Sequence, residues 1–282
     1  MVNRNRIRLN ALSNCPNEVS TLLLGLTSNR WTHVDILGID IGGTGIKAAI
    51  VDTSTGALKS ERHRIRTPES ATPQAVSAVV VEMMDHFKWN GPIGCTLPAR
   101  VEHGIVHTAA NIHADWIETE VDSLFSIATG QKVTVLNDAD AAGLASVTFG
   151  AGKGRMGTVF FITVGTGIGS AMFLDGKLVP GTELGHLQLK GRSAELYASA
   201  RVKKEKELTW KKWAKRFQKY LHMLEFLFAP DAIIVGGGVS RPAKTREYAK
   251  YLNTNAELLF ATLENEAGII GAACAAAVND QN

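Results

Sequence analysis

The stretch LGIDIGGTGIKAAIV, residues 37–51, returns in altered form as FITVGTGIGSAMF, residues 161–173. Laid over each other, Gly43-Thr44-Gly45-Ile46 matches Gly165-Thr166-Gly167-Ile168, Ala49 matches Ala171, and apolar pairs follow at 50/172 and 51/173. Each copy reads as an apolar strand, a glycine-rich turn and a second apolar strand. Glycines in such a turn can take φ > 0, and without a Cβ they let main-chain N–H groups approach a ligand closely. Successive N–H groups turned inward form a concavity that suits phosphate oxygens. Two such turns, with Thr44 and Thr166 at matching places and Asp40 just upstream, predict two half-domains gripping one polyphosphorylated ligand from opposite sides. The alternative for either turn alone is a tight hairpin in a duplicated fold with no ligand.

Two familiar phosphate motifs are excluded. Gly152-Lys153 is followed by Gly154 and Gly176-Lys177 by Leu178, so no Ser or Thr completes a P-loop. Neither glycine turn spells GxGxxG, and a strand rather than a helix follows each, which removes the dinucleotide fingerprint.

The internal match, about 120 residues apart in a chain of 282, favours two domains of moderate size. Hydrophobic content of 45% with 20% charge predicts a globular protein with a sizeable core. A net charge of +3 does not call for nucleic acid as a partner. Cys15, Cys95 and Cys274 are far apart and match no CxxC spacing, so no disulfide framework or zinc site is indicated, and they fit a reducing cytoplasm. No segment approaches the run of about twenty apolar residues that spans a bilayer. The cluster TLLLGL at 21–26 is too short for a secretory signal, so cytoplasmic location is expected.

Residues 1–34 read as an extension outside the repeated unit. The first unit, 35–150, opens with strands over 36–41 and 46–51 and a third over 57–65. Thr72-Pro73 then caps a helix with Val76, Val79, Val80 and Met83 on one stripe. Strands follow at 92–97 and 132–136, with a small hairpin over 101–108 between them. The second unit, 151–265, repeats the opening three strands with Asp175-Gly176 as the tight turn. A long helix over 208–229 carries Trp210, Trp213, Phe217, Leu221 and Leu224 at three- and four-residue steps and stops at Pro230. A buried strand at 232–235 runs into Gly236-Gly237-Gly238. The alanine-rich end, about 266–282, closes the chain as a helix packed back on the first unit.

Asn137-Asp138 sits where a strand ends, and ligands gather at the carboxyl ends of strands in open α/β sheets. Asp138 there is either a general base toward a hydroxyl or the cap of the helix beginning at Ala139. Glu183 and His186 in GTELGH, with Glu195 further on, either bracket a polyhydroxylated ligand or are solvated loop groups. Asn111 in TAANIHADW is a loop amide that either joins this set or makes a hydrogen-bonding turn. Residues 201–222 carry nine Lys or Arg against two Glu. That run is either a solvated face or an electrostatic track for a long polyanion, inorganic polyphosphate before duplex nucleic acid, because no groove-reading motif accompanies it.

Taken together the motifs resemble the sugar kinases of the ROK family, within the actin, Hsp70 and hexokinase superfamily, and among them most closely the polyphosphate glucokinases and glucomannokinases. DIGGTGIK at 40–47 is similar to the first phosphate motif, TVGTGIGS at 163–170 to the second, GGGVS at 236–240 to the adenosine motif and GIIGAA at 268–273 to the closing helix. The resemblance implies two actin-like, ribonuclease H-like α/β lobes around a central cleft. It implies transfer of the terminal phosphoryl group of polyphosphate or ATP to the 6-hydroxyl of glucose, with Asp138 catalytic. Asn111, Asn137, Asp138, Glu183, His186 and Glu195 would bind sugar. Asp40, Gly42, Gly43, Thr44, Gly45, Lys47, Thr166, Gly167, Gly236, Gly237 and Gly238 would hold the donor, and Asp40 would stand near Mg²⁺ through water.

Two departures refine this expectation. Gly191-Arg192-Ser193-Ala194 stands where many relatives hold zinc through cysteines, so no zinc is expected. Leu97-Pro98-Ala99 replaces the Phe-Pro-Gly of close relatives, and mannose becomes a second expected sugar. The family also implies a homodimer. From other classes, a non-catalytic sugar-sensing regulator of the same family would need a helix-turn-helix for which 34 residues are too short, and a chaperone or filament ATPase is opposed by the sugar-ligand set.

Overall fold

The computed structural model describes residues 35–109 and 112–279. The extension at 1–34, with its Leu cluster and Cys15, lies outside the described residues, and so does Asn111. The chain opens with a hairpin in which β1 (Asp35–Gly42) pairs antiparallel with β2 (Gly45–Asp52), from Asp35↔Asp52 to Gly42↔Gly45, leaving Gly43-Thr44 as the turn. The strand expected over 57–65 is instead two short pieces, β3 (Ala57–Leu58) and β4 (His63–Ile65), both paired with β2. Between them Lys59-Ser60-Glu61-Arg62 has no apolar side chain to bury, and Ser60 Oγ takes the Ile50 N–H at 2.9 Å.

Thr72 caps α1 (Pro73–His86), its Oγ accepting the Ala75 N–H at 3.3 Å, and Val76, Val79, Val80 and Met83 are buried. Then come β5 (Ile93–Leu97), the hairpin of β6 (Val101–Glu102) and β7 (Ile105–Val106), α2 (Val121–Thr129), β8 (Val133–Asn137) and α3 (Asp138–Thr148). The sheet runs β3-β2-β1-β5-β8, with β1, β5 and β8 parallel. β5 is buried at every position, as a parallel strand covered on both faces must be.

The second half repeats this plan. β9 (Thr158–Val164), β10 (Ile168–Leu174) and β11 (Lys177–Val179) form the antiparallel triplet. After the pair β12 (Gln188–Leu189) and β13 (Arg192–Ser193) come α4 (Glu195–Ala198), α5 (Ala200–Glu205) and α6 (Trp210–Phe228). β14 (Ala232–Gly236), α7 (Pro242–Tyr248), β15 (Glu257–Phe260) and α8 (Ala267–Asn279) complete the chain. The second sheet runs β11-β10-β9-β14-β15, the order of the first, so the repeated actin-like α/β unit read from the motifs is present twice. The basic run of 201–222 is not one helix: α5 ends at Glu205, and α6 starts afresh with Thr209 Oγ accepting the Lys212 N–H at 3.3 Å.

Alternation along β9 divides the second core. Phe160, Ile162 and Val164 face α6 through Trp213, Phe217, Tyr220, Leu221 and Leu224, while Val159 and Phe161 face Ala142, Leu144 and Val147 of α3. On the first sheet α1 covers one face. α8 lies on the other, against β1, β5, β8 and α3. The approach is so close that a Cβ at Gly38 would meet the Ile269 carbonyl and one at Gly94 the Ala272 carbonyl. Among the described residues no helix is long and apolar enough to cross a membrane.

Candidate active site

A cavity of about 720 Å³ lies among the loops that follow β5, β8 and β9, lined by Asn137, Asp138, Thr166, Gly167, Glu183, His186 and Glu195 among others. Asn137 ends β8 and caps α3: its Oδ1 accepts the N–H groups of Ala139 at 2.7 Å and Asp140 at 3.2 Å, and its Nδ2 donates to the Ala99 carbonyl at 3.0 Å. Its amide thus ties the 98–100 loop to the helix start, and one Nδ2 hydrogen remains for a ligand.

The capping role offered to Asp138 by sequence is taken by its neighbour. Asp138 accepts the Ala139 N–H at 2.8 Å through Oδ1 and otherwise faces the cavity. The cavity walls push its pKa up to about 6 by desolvation, helped by the charges of Asp40 and Glu183 and opposed by the Ala139 N–H. The residue stays solvent-accessible through the open mouth of the cavity, so desolvation acts in full when a ligand fills the space.

Ser170 on β10 fixes the opposite wall. Its hydroxyl donates to the Thr182 carbonyl and accepts the Leu184 N–H at 2.8 Å, pinning the loop that presents Glu183. His186 stands between two carboxylates, Nε2 3.9 Å from Glu183 and Nδ1 4.0 Å from Glu195. Glu195 opens α4 and lays its carboxylate against Gly167, where a Cβ would collide with it.

The glycine turns differ from expectation in one respect. Neither Gly43 and Gly45 nor Gly165 and Gly167 adopts positive φ. Their small size serves close approach instead, of Glu195 at Gly167 and of the Arg64 guanidinium at Gly45. In the second turn the Gly165 N–H donates to the Gly167 carbonyl at 3.0 Å, which removes it from the set available to phosphate.

Asp40, Gly42, Gly43, Thr44, Gly45, Lys47 and Gly236, Gly237 and Gly238 do not line this cavity. Asp40 is near enough to raise the pKa of Asp138, and its own oxygens are engaged by Lys47 Nζ at 3.2 Å and Thr96 Oγ at 3.0 Å. Gly236 continues β14 beside Thr163, a cavity residue. Arg100, Thr108, Ser170 and Arg201, none of them singled out as a site residue from the sequence, all line the cavity. The departure at Pro98-Ala99 pointed at the Arg100 loop, Ser170 closes the second glycine motif and Arg201 opens the basic run of 201–222; Thr108 carried no local signal. Among the described residues no group of three or more His, Cys, Asp or Glu side chains is placed to hold a metal ion.

Residues 36–199 match the model of the ROK family. The chain belongs to the ROK family. The matched span takes in both glycine turns, Asn137, Asp138, Glu183, His186 and Glu195. The chain is 46% identical over 239 residues to a polyphosphate glucokinase of Mycobacterium tuberculosis (strain CDC 1551 / Oshkosh), covering 84% of this chain and 89% of that one. Among solved ROK-like structures it is similar to the inorganic polyphosphate/ATP-glucomannokinase of Arthrobacter sp. strain KM, with a TM-score of 0.81 at 45% identity over 87% of this chain and 99% of that one. A ROK family glucokinase from Streptomyces griseus, solved with glucose and AMPPNP, gives a TM-score of 0.72 at 25% identity over 88% and 100% of the two chains.

Proposed function

We propose that this ROK-family chain transfers the terminal phosphoryl group of inorganic polyphosphate or ATP to the 6-hydroxyl of glucose, and to that of mannose, its epimer at C2. The names of the Mycobacterium and Arthrobacter relatives support the donors and the acceptors. The observation that carries the mechanism is the division of labour at 137–138: Asn137 supplies the helix cap, and Asp138 is left facing the cavity. A carboxylate so held orients a hydroxyl and takes its proton as the phosphoryl group arrives, a contribution of about 10²–10⁴ in rate. With its pKa near 6 the group is ionised at neutral pH and still basic enough for the task.

Glu183, His186 and Glu195, with Asn137 and Asn111, hold the sugar hydroxyls. The two glycine turns, Lys47 and the 236–238 segment hold the donor, and Arg100 and Arg201 add positive charge at the cavity wall. The residues fit Mg²⁺, which is ordinarily held by one or two carboxylates together with substrate phosphates rather than by a protein cage. Asp40 would hold it through water, and the repulsion that Asp40 exerts on Asp138 is what a divalent cation relieves. When bound, the ion neutralises charge on the phosphate oxygens. The reading extends to a cytoplasmic homodimer, for which exposed Phe226 and Leu227 at the end of α6 offer apolar surface.

Steady-state kinetics with ATP and polyphosphate against glucose and mannose test the proposal. The wild type is expected to turn over all four pairs and to consume ATP only slowly without sugar. Asp138→Asn is expected to lose at least about 100-fold in kcat while still binding glucose in a calorimeter. Near-wild-type turnover by the variant would reject Asp138 as base, and glucose binding without turnover by the wild type would favour a sugar-sensing regulator.

A further inference from the structure

We propose that the arginine row Arg62, Arg64 and Arg66 is the surface along which the distal part of a long inorganic polyphosphate donor lies, the chain entering past the Gly43-Thr44 turn; this rests on the phosphotransfer reading above. The row comes from the segment ERHRIR, residues 61–66. Side chains alternate along a strand. His63 stacks on His86 of α1 with ring centroids 3.7 Å apart, and Ile65 packs against the core beneath α1. Arg64 therefore points to the other face of β4, Arg62 and Arg66 flank it just beyond the two ends of the strand, and all three are exposed.

Register places this row relative to the site. Arg64 stands directly opposite Lys47, which stands opposite Asp40 in β1. A line Asp40, Lys47, Arg64 thus crosses the sheet from the neighbourhood of Asp138 to the edge. Like charges directly opposite one another are destabilising. Lys47 has a carboxylate, Asp40 at 3.2 Å. Among the described residues no acidic side chain pairs with any of the three arginines. The Arg64 guanidinium lies over Gly45, where a Cβ would displace it, and donates to the Thr44 carbonyl at 2.9 Å. That uses one of its five N–H groups and leaves the others at the lip of the first turn.

Arg62, Arg64 and Arg66 put three positive charges within five residues of chain, a density that a flexible polyanion charged at every unit can follow. The guanidinium fork matches phosphate oxygens two at a time. Among the described residues no aromatic ring lies under any of the three groups, so the row lacks the stacking platform that single-stranded nucleic acid uses. ATP ends in a nucleoside after three phosphates and does not extend along the row.

The basic run of α5 and α6 is less available. Lys203 lies over Trp210 at 4.2 Å, Lys211 over Tyr251 at 5.7 Å and Arg216 over Tyr197 at 5.2 Å, while Arg201 is 3.9 Å from Glu205. α6 also turns its apolar stripe to the sheet face opposite α3.

The test compares the full chain with Arg62→Gln/Arg66→Gln, which leaves Arg64 and the turn untouched. KM is measured for long-chain polyphosphate, tripolyphosphate and ATP, and Kd for labelled long-chain polyphosphate with sugar omitted. The expected result is a rise of about tenfold in both long-chain constants with a weaker salt dependence, and values within twofold for tripolyphosphate and ATP. A Lys211→Gln/Lys212→Gln/Lys215→Gln/Arg216→Gln variant is expected to lose less, and a DNA oligonucleotide of equal charge to bind the wild type more weakly. Unchanged long-chain constants, an equal loss with ATP, a larger loss in the α6 variant or equal binding of the DNA would each overturn the proposal. Failure of the wild type to phosphorylate sugar with any donor rejects the phosphotransfer reading instead, and the sugar-free Kd still reads the row.

Discussion

At the scale of single residues the site is decided by which neighbour does the structural work. Asn137 carries the cap, Ser170 carries the loop, and the reactive groups beside them are left to the cavity. Asp140 is the exception: it is 3% exposed, its Oδ1 has no hydrogen-bond partner among the described residues, and it stands near Glu183 and Asp138. Burial pushes its pKa up to about 7 against the pull of the Gly181 N–H, with the charges of Glu183 and Asp138 adding to the rise. An unfolded Asp ionises near pH 3.9, roughly. Between about pH 4 and 7 the native state therefore holds a proton that the unfolded chain has lost, and stability falls as pH rises through that window. Asp140→Asn mimics the protonated form. Its gain over the wild type is expected to be near zero at pH 4 and on the order of 2–4 kcal/mol at pH 8, read from urea melts. An equal difference at both pH values would mean that Asp140 is not protonated in the fold.

At the scale of elements the close seat of α8 is the feature most exposed to test. Gly94→Ala puts a methyl group onto the Ala272 carbonyl and is expected to cost about 1–3 kcal/mol or more. Gly43→Ala, whose Cβ would meet nothing within 4 Å, is expected to change the unfolding free energy by less than about 0.5 kcal/mol, the two variants being compared by their denaturation midpoints. Equal midpoints would show that the helix can back away from the sheet. Strands, hairpins and helix caps were legible in the sequence because apolar period and capping chemistry are local: Thr72-Pro73 and the repeated glycine turns name their own structures. The break at 59–62 and the restart of α6 at Trp210 were less so, since they turn on a hydroxyl at Ser60 or Thr209 replacing a main-chain partner. Arg100 and Arg201 were illegible as members of one site because only the folded chain brings the loop after β5 and the first turn of α5 to one cavity. Of the two reasons that pointed to the glycines, positive φ and the missing Cβ, only the second applies at Gly45 and Gly167.

At the scale of the whole molecule two sheets of identical strand order share one cavity, so a ligand there stabilises both. Saturating glucose, at about 100 times Kd, is expected to add about 2.7 kcal/mol and raise Tm, and Asp138→Asn is expected to keep that rise. An unmoved Tm in a chain that phosphorylates glucose would place the sugar elsewhere. α3 touches both halves, Ala141 meeting Ala272 of α8 and Gly143 pressing on Ala171 and Phe173 of the second sheet. Were the sheets to swing toward each other, this shared helix would act as the fulcrum. Asp138, at its first turn, would stay almost still while the outer arms travelled, so reach would be adjusted by the moving phosphate chain and never by the stationary carboxylate.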